Sequence, residues 1–430
     1  MIRFKTLVFT FSFLLLTFCC LAQVETPAPA QSKSILLLNG IAHIGNGKVI
    51  ENSAIAFKDG KLTLVADARV IKIDFSAFDT IIKIPGKHVY PGFIAPNSTL
   101  GLVEIDAVRA TNDMNEAGEF TPHVRSIIAY NTDSKITTTV RSNGILMGQI
   151  TPRGNYISGT SSVVQFDAWN WEDAVYKKDD GVHLNWQNMF SRWNGKANKK
   201  YSEKVNELKE FFANALAYSK IENQEETNLR LEAMKGLFTG EKTLYIHADF
   251  VKEITEAIDF AKDFEVKKIV IVGGYDAWRV SDMLKDNKVA VMLRRVHELP
   301  VHEDEDVYLP YKLPKMLFDA GVLFCLENSG DMEAMGARNL PFYAGTAAAY
   351  GLDKEEALKL ITLNTAKILG IDATVGSLET GKDATLFISS GDALDMRTNN
   401  VEQAFIQGRE IDLDNHQKKL FRKFSEKYQN

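Results

Sequence analysis

The rhythm of hydrophobic and polar positions changes twice along the chain. From Ser34 the apolar residues fall in short alternating runs, SILLLNGIAHIG and then KVIENSAIAFKDGKLTLVA, where Asp59-Gly60 is a hairpin signal. This predicts a small antiparallel β unit. After IIKIPGKHVYPGF, continuous apolar runs separated by helical stretches take over, the grammar of a parallel sheet wrapped by helices. Strand cores are predicted at HVYPGFIAP, NGILMGQIT, SSVVQFDA, TLYIHAD, KKIVIVGG, VAVML and GVLFCLE. The longest predicted helix runs from about Tyr201 to Phe238, with Val205, Leu208, Phe212, Ala215 and Leu216 on one face. Past Leu369 the strand grammar returns in VGSLETGKDATLFIS and VEQAFIQGREI, before a charged helix near Gln417 to Lys427. The two β pieces flank the α/β core, and neither alone buries its apolar face, so one discontinuous unit is expected.

The first residues follow different rules. Arg3 and Lys5 precede an apolar run from Leu7 to Leu21, and Cys20-Leu21-Ala22 sets small residues at the −3 and −1 positions. This is the pattern of a secretory signal peptide cleaved after Ala22, which predicts a periplasmic or secreted protein. A lipoprotein anchor on Cys19 or Cys20 is the rival, but Phe18 and Cys19 are poor residues to precede a lipidated cysteine. The run is short for a membrane span, and no later run is long enough. With Cys19 and Cys20 removed, Cys325 stands alone and no intrachain disulfide forms. The 430 residues are 45% hydrophobic and 25% charged, enough for a sizeable core in more than one structural unit. Lysine and arginine number 50 against 56 acids, a net charge of −6 that becomes −8 without Arg3 and Lys5, so nucleic acid is not an expected partner.

Three motifs, Pro91-Gly92-Phe93-Ile94, the run LNTAKILG from Leu363 to Gly370, and GSLETGKDA from Gly376 to Ala384, resemble the amidohydrolase superfamily, especially its imidazolonepropionase-like branch. The resemblance covers roughly Ser34 to Ile411. It implies an α/β fold, a (β/α)8 TIM-like barrel over 89–369, with a β-sandwich built from 34–88 and 370–411, after a leader over 1–22 and before a C-terminal helix over 412–430. It also implies a site at the carboxyl ends of the strands, where metal-activated water attacks a carbon–nitrogen bond. The family's first strand reads PGxIDxHxH, and here the aspartate is Ala95 and the two metal histidines are Asn97 and Thr99. His247 matches the fifth-strand ligand, Gly273 replaces the sixth-strand histidine, and the eighth-strand acid falls on Glu327 or Asn328. No bridging lysine is evident on a middle strand. Division of structural zinc affinities gives roughly 3 to 4 kcal/mol per ligand, so one histidine holds zinc at about millimolar. No dinuclear zinc is therefore expected, and at most one weakly bound divalent metal on His247 and Glu327.

The strand ends offer other chemistry. Glu104, Asp106 and Arg109 follow the first strand; Asp167, Trp169, Trp171 and Glu172 follow VVQFDA; Arg294, Arg295 and His297 follow VAVML; Asp331, Glu333, Arg338 and Asn339 follow LFCLE. Asp106, Arg109, Arg294, Arg295 and His297 are the substrate-binding candidates, with His247 and Glu327 as the catalytic ones. Bland readings stand beside these: His247 as a satisfied core histidine, the acidic run Glu303 to Asp306 as a solvated loop pairing with the arginines, Cys325 as an inert buried thiol. The expected function is hydrolysis of a non-peptide carbon–nitrogen bond in a small molecule. The alternative is a catalytically inactive binding or structural protein, associating with a second copy or with an intact relative.

Overall fold

The computed structural model describes residues 26–190, 196–222 and 226–428. The leader, with Cys19 and Cys20, lies outside the described residues. Five strands come first: β1 (Ile35–His43), β2 (Val49–Lys58), β3 (Lys61–Asp67), β4 (Thr80–Lys83) and β5 (His88–Pro91). Eight follow: β6 (Phe93–Ser98), β7 (Ile145–Ile150), β8 (Ile157–Gln165), β9 (Val175–Asn185), β10 (Thr243–Ala248), β11 (Ile269–Gly273), β12 (Ala290–Leu293) and β13 (Phe324–Leu326). The last three are β14 (Leu386–Ser389), β15 (Val401–Ile406) and β16 (Arg409–Glu410).

One sheet takes strands from both ends of the chain, in the order β16-β15-β14-β5-β1-β2-β3, with β4 on β1. At its junction β14 pairs antiparallel with β5, Leu386 opposite Pro91 and Ser389 opposite His88. Leu37, Ile55, Phe57, Leu386 and Phe405 share its core. Asp59 and Gly60 join β2 to β3 with φ of 50° and 78°, the paired left-handed conformations of a tight hairpin. The run HVYPGFIAP is two strands rather than one. Gly92 divides it, leaving β5 in the first sheet and β6 in the barrel, and a Cβ there would come within 2.9 Å of both Leu146 and Thr385.

The other sheet, β6 to β13, curls into a nearly closed TIM-like barrel, so the protein is an α/β barrel with a second β domain. Its strands are parallel except β8, which runs antiparallel to both β7 and β9. The loop 151–156 explains the reversal, because a parallel neighbour needs a crossover of a dozen or more residues. The consequence is a correction at the site: Asp167, Trp169, Trp171 and Glu172 leave β8 at the end of the barrel opposite the mouth. There Asp167 accepts from Arg141 Nη1 at 3.1 Å, Arg409 Nη1 at 2.7 Å and Ala28 N at 3.0 Å. The strand that restores the parallel direction is β9, absent from the seven predicted cores. The single helix expected from Tyr201 to Phe238 is two, Tyr201–Ser219 and Leu229–Thr239, the second capped by Asn228 Oδ1. The polar run Glu222 to Asn228 gives a continuous helix nothing to bury. No helix among the described residues is long and apolar enough to cross a membrane.

Candidate active site

A cavity of about 850 Å3 opens at the carboxyl ends of the barrel strands. Thr99 and Asp106 after β6, Arg153 after β7, Asn185 ending β9, His247 on β10, Gly273 ending β11, Arg294 after β12 and Ser329 after β13 all line it. Such loops carry function because the strands beneath fix their starting points while the loops themselves are free to vary.

Beneath one wall lies Glu327, wholly buried. Its carboxylate accepts from the Ser329 amide, from Ser329 Oγ at 2.7 Å and from Asn97 Nδ2 at 3.3 Å. Burial pushes its pKa up to about 7, against the pull of the Ser329 hydrogen bonds and the Arg153 charge. Asn97, at a left-handed φ of 46°, turns its Oδ1 and carbonyl to Arg153 Nη1 and Nη2 at 3.0 and 2.9 Å. Arg153 also grips Glu333, Nε to Oε1 at 3.1 Å and Nη2 to Oε2 at 3.0 Å. The guanidinium therefore clamps the first strand to the loop after the eighth.

His247 is not isolated. Its Nε2 lies 3.0 Å from His183 Nδ1, and His183 Nε2 lies 2.9 Å from Ser161 Oγ. Ser161 Oγ donates to Asp180 Oδ1 at 2.8 Å, while Gln149 Nε2 and Tyr245 Oη donate to Asp180 Oδ2 at 2.9 and 2.7 Å. With Asp180 ionised the directions are fixed. The single hydrogen of Ser161 goes to the carboxylate, His183 Nε2–H donates to Ser161, and His247 Nε2–H donates to His183. His247 then keeps its Nδ1 lone pair outside the chain of bonds. A proton on Asp180 Oδ1, donated to Ser161, reverses the Ser161–His183–His247 series. Burial, aided by Arg153, lowers the His247 pKa to about 3, and burial lowers that of His183 as well, so both imidazoles are neutral. Asp180 is pushed upward by burial.

The structure distributes the remaining candidates. Asp106 and Arg294 line the cavity; Arg109 does not, and donates to Asn112 O within its own loop at 2.7 Å. Arg294 holds Asp249 Oδ2 at 3.2 Å and Glu298 Oε2 at 2.6 Å. Arg295 holds Glu298 Oε1 and the Asp331 carbonyl, each arginine choosing Glu298 over the acidic run Glu303 to Asp306. His297 lies outside the lining, its Nε2 2.7 Å from Thr346 Oγ1 and its ring edge-on to Tyr343. Arg338 stands away from the cavity, its carbonyl accepting from Asn143. Cys325 is buried, its thiol pushed upward by burial. Sequence reasoning missed His183, Asp180 and Arg153. The first two sit on the unpredicted β9, where the alternation Val182-His183-Leu184 was the available signal; Arg153 stands two residues past a predicted strand core.

A two-metal centre would have to draw on these donors. Asn97 is spent on Arg153 and Glu327, and a cation already occupies that wall. Gly273 offers no donor atom, and its φ of 98° is one that residues with a side chain rarely adopt. His247 Nε2 and both Glu327 oxygens are engaged within the protein. Among the described residues no three His, Cys, Asp or Glu side chains stand close enough to hold a metal together. The residues do not fit a dinuclear metal site.

A profile of the amidohydrolase family matches residues 318–411, the stretch that carries Glu327 and Ser329. No curated protein matches the chain. Among solved structures, an amidohydrolase from Thermotoga maritima MSB8 is 25% identical with a TM-score of 0.75, covering 88% of this chain and 99% of that one. The A. niger ochratoxinase is 12% identical with a TM-score of 0.54, over 88% of this chain and 97% of its own. Molinate hydrolase is 12% identical with a TM-score of 0.53, over 89% and 95%. At those two identities the likeness is one of fold. The profile match together with the barrel shared over most of the chain supports the amidohydrolase superfamily as the family of this protein.

Proposed function

We propose that the chain is an exported hydrolase that cleaves a non-peptide carbon–nitrogen bond of a small molecule without the superfamily's metal pair. The observation that carries this reading is the pairing of a buried acid at a pKa of about 7 with a hydroxyl on the cavity wall, Glu327 and Ser329. General bases work best near the operating pH. In this mechanism a water in the cavity attacks the carbonyl carbon and gives its proton to Ser329 Oγ, as Ser329 passes its own to Glu327. The carbon–nitrogen bond then breaks, and the proton returns by the same path to the leaving nitrogen. Neutral His247 accepts a substrate N–H or O–H at Nδ1. Thr99 Oγ1, which lacks a hydrogen-bond partner, completes the polar contacts. Arg153, Arg294 and Arg295 already have acidic partners, which favours an uncharged polar substrate over a carboxylate.

The test is turnover of simple amides, ureas and lactams by protein dialysed against chelator, with metal content measured before and after. Activity should survive the dialysis and fall about 10² to 10⁴-fold in Ser329→Ala and Glu327→Gln. Two metals per chain surviving dialysis would restore the ordinary hydrolase. That no three metal-donor side chains cluster among the described residues favours a second reading, a non-catalytic binding protein; no turnover by wild-type protein, with ligand binding intact in both variants, would select it.

A further inference from the structure

The last described helix, His416–Tyr428, is tied down only near its start. Asn415 Nδ2 donates to Ser142 and its Oδ1 caps Lys418 N, Gln417 accepts from Thr139, and Arg422 reaches back to Asp414. None of the helix's residues is buried. Yet the sequence is amphipathic. Leu420, Phe424 and Tyr428 recur at every fourth position with Phe421 beside them, a stripe about 100° wide. Phe421 and Tyr428 are 74% and 75% exposed, Phe424 48% and Leu420 38%. Outside the stripe the helix carries five cations, Lys418, Lys419, Arg422, Lys423 and Lys427, against one acid, Glu426, with His416, Gln417 and Ser425 between them, on a chain whose net charge is −6. The ammonium groups of Lys423 and Lys427 lie 5.8 and 5.1 Å from the ring centres of Phe424 and Tyr428, rimming the apolar face with charge.

We propose that this helix docks the protein on an anionic phospholipid surface, its apolar stripe at the boundary of headgroups and acyl chains and its cations on the phosphates. A helix of a soluble domain ordinarily turns such a stripe to its own core. Here the stripe faces outward, and charge decides what covers it. A second copy of the helix would set five cations against five. An anionic bilayer answers both the stripe and the cations, and repels the acidic body, leaving the helix as the contact. The helix lies on the surface and spans nothing.

The experiment is flotation of the full chain with vesicles of phosphatidylcholine alone or with about a third phosphatidylglycerol. The variants are Phe421→Ser/Phe424→Ser and Lys423→Gln/Lys427→Gln. All share one amino terminus, so any contribution of the apolar run Leu7 to Leu21 is common, and differences report the helix. The wild type should bind the anionic vesicles more tightly, lose that preference in high salt, and lose about fivefold per cation removed, about 25-fold in the lysine pair. The phenylalanine pair should abolish the difference, with an unchanged melting temperature. Equal binding to both vesicles, or anionic binding that neither variant weakens, overturns the proposal. Failure to bind anionic vesicles also overturns it, and self-association abolished by the phenylalanine pair would then assign the stripe to a second copy.

Discussion

Burial acts in opposite senses on Glu327 and His247. Glu327 rises from an ordinary 4.5 to about 7, so the folded protein binds a proton more tightly than the unfolded chain; its contribution is fully present below pH 4.5 and is lost as pH rises through 7. His247 falls from 6.5 to about 3, so its contribution is present above pH 6.5 and is lost as pH falls toward 3. A shift of that size corresponds to a few kcal/mol, about 1.4 per unit. Glu327→Gln should therefore flatten the loss of stability between pH 4.5 and 7 in denaturant titrations, leaving the acid-side loss from the histidines. An unchanged slope above pH 5 in that variant would mean that Glu327 is not the buried acid described.

β9 decides the barrel interior. Gly181 lies against the Tyr245 ring, where an added Cβ would come within 2.3 Å of the ring and 2.4 Å of the Thr243 carbonyl. That closeness lets Tyr245 lie over the strand, stack on His183 with ring centres 4.7 Å apart, and reach Asp180. Gly181→Ala should cost about 1 to 3 kcal/mol, read from urea unfolding, by pushing Tyr245 off Asp180. A stability equal to wild type would show the ring to be free to move. The strand was illegible in sequence because its first half, Tyr176-Lys177-Lys178-Asp179, reads as a polar loop. Lys177 and Asp179 find partners only in the folded chain: Leu369 O for Lys177, Arg125 for Asp179.

At the scale of the whole molecule, the first sheet closes only when both ends of the chain are present. β14 stands between β5 and β15, and Lys61, which opens β3 at the other end of the strand order, pairs with Asp383 just before β14. A chain ending at Asp383 should lose amide-exchange protection in β5 and β1 although both remain in the sequence. Full protection of Ile35 to His43 in that truncation would refute a shared sheet. For export, mass spectrometry of protein from its native host should find a chain beginning at Gln23; an acylated amino-terminal cysteine would refute cleavage after Ala22.

The sequence by itself determined the β, α/β, β order of the chain and the residues Asn97, Thr99 and Gly273 at its strand ends, because strand periodicity and residue identity are local properties. It located His247, and it narrowed the eighth-strand acid to two neighbours. Only the tertiary structure decided the direction of β8, which moved Asp167 and Trp169 away from the mouth, since strand direction depends on how short loops close in space. Only the fold joined His247 to a histidine 64 residues earlier and raised the pKa of Glu327. Both effects come from burial and from partners distant in sequence, and no pattern along the chain records either.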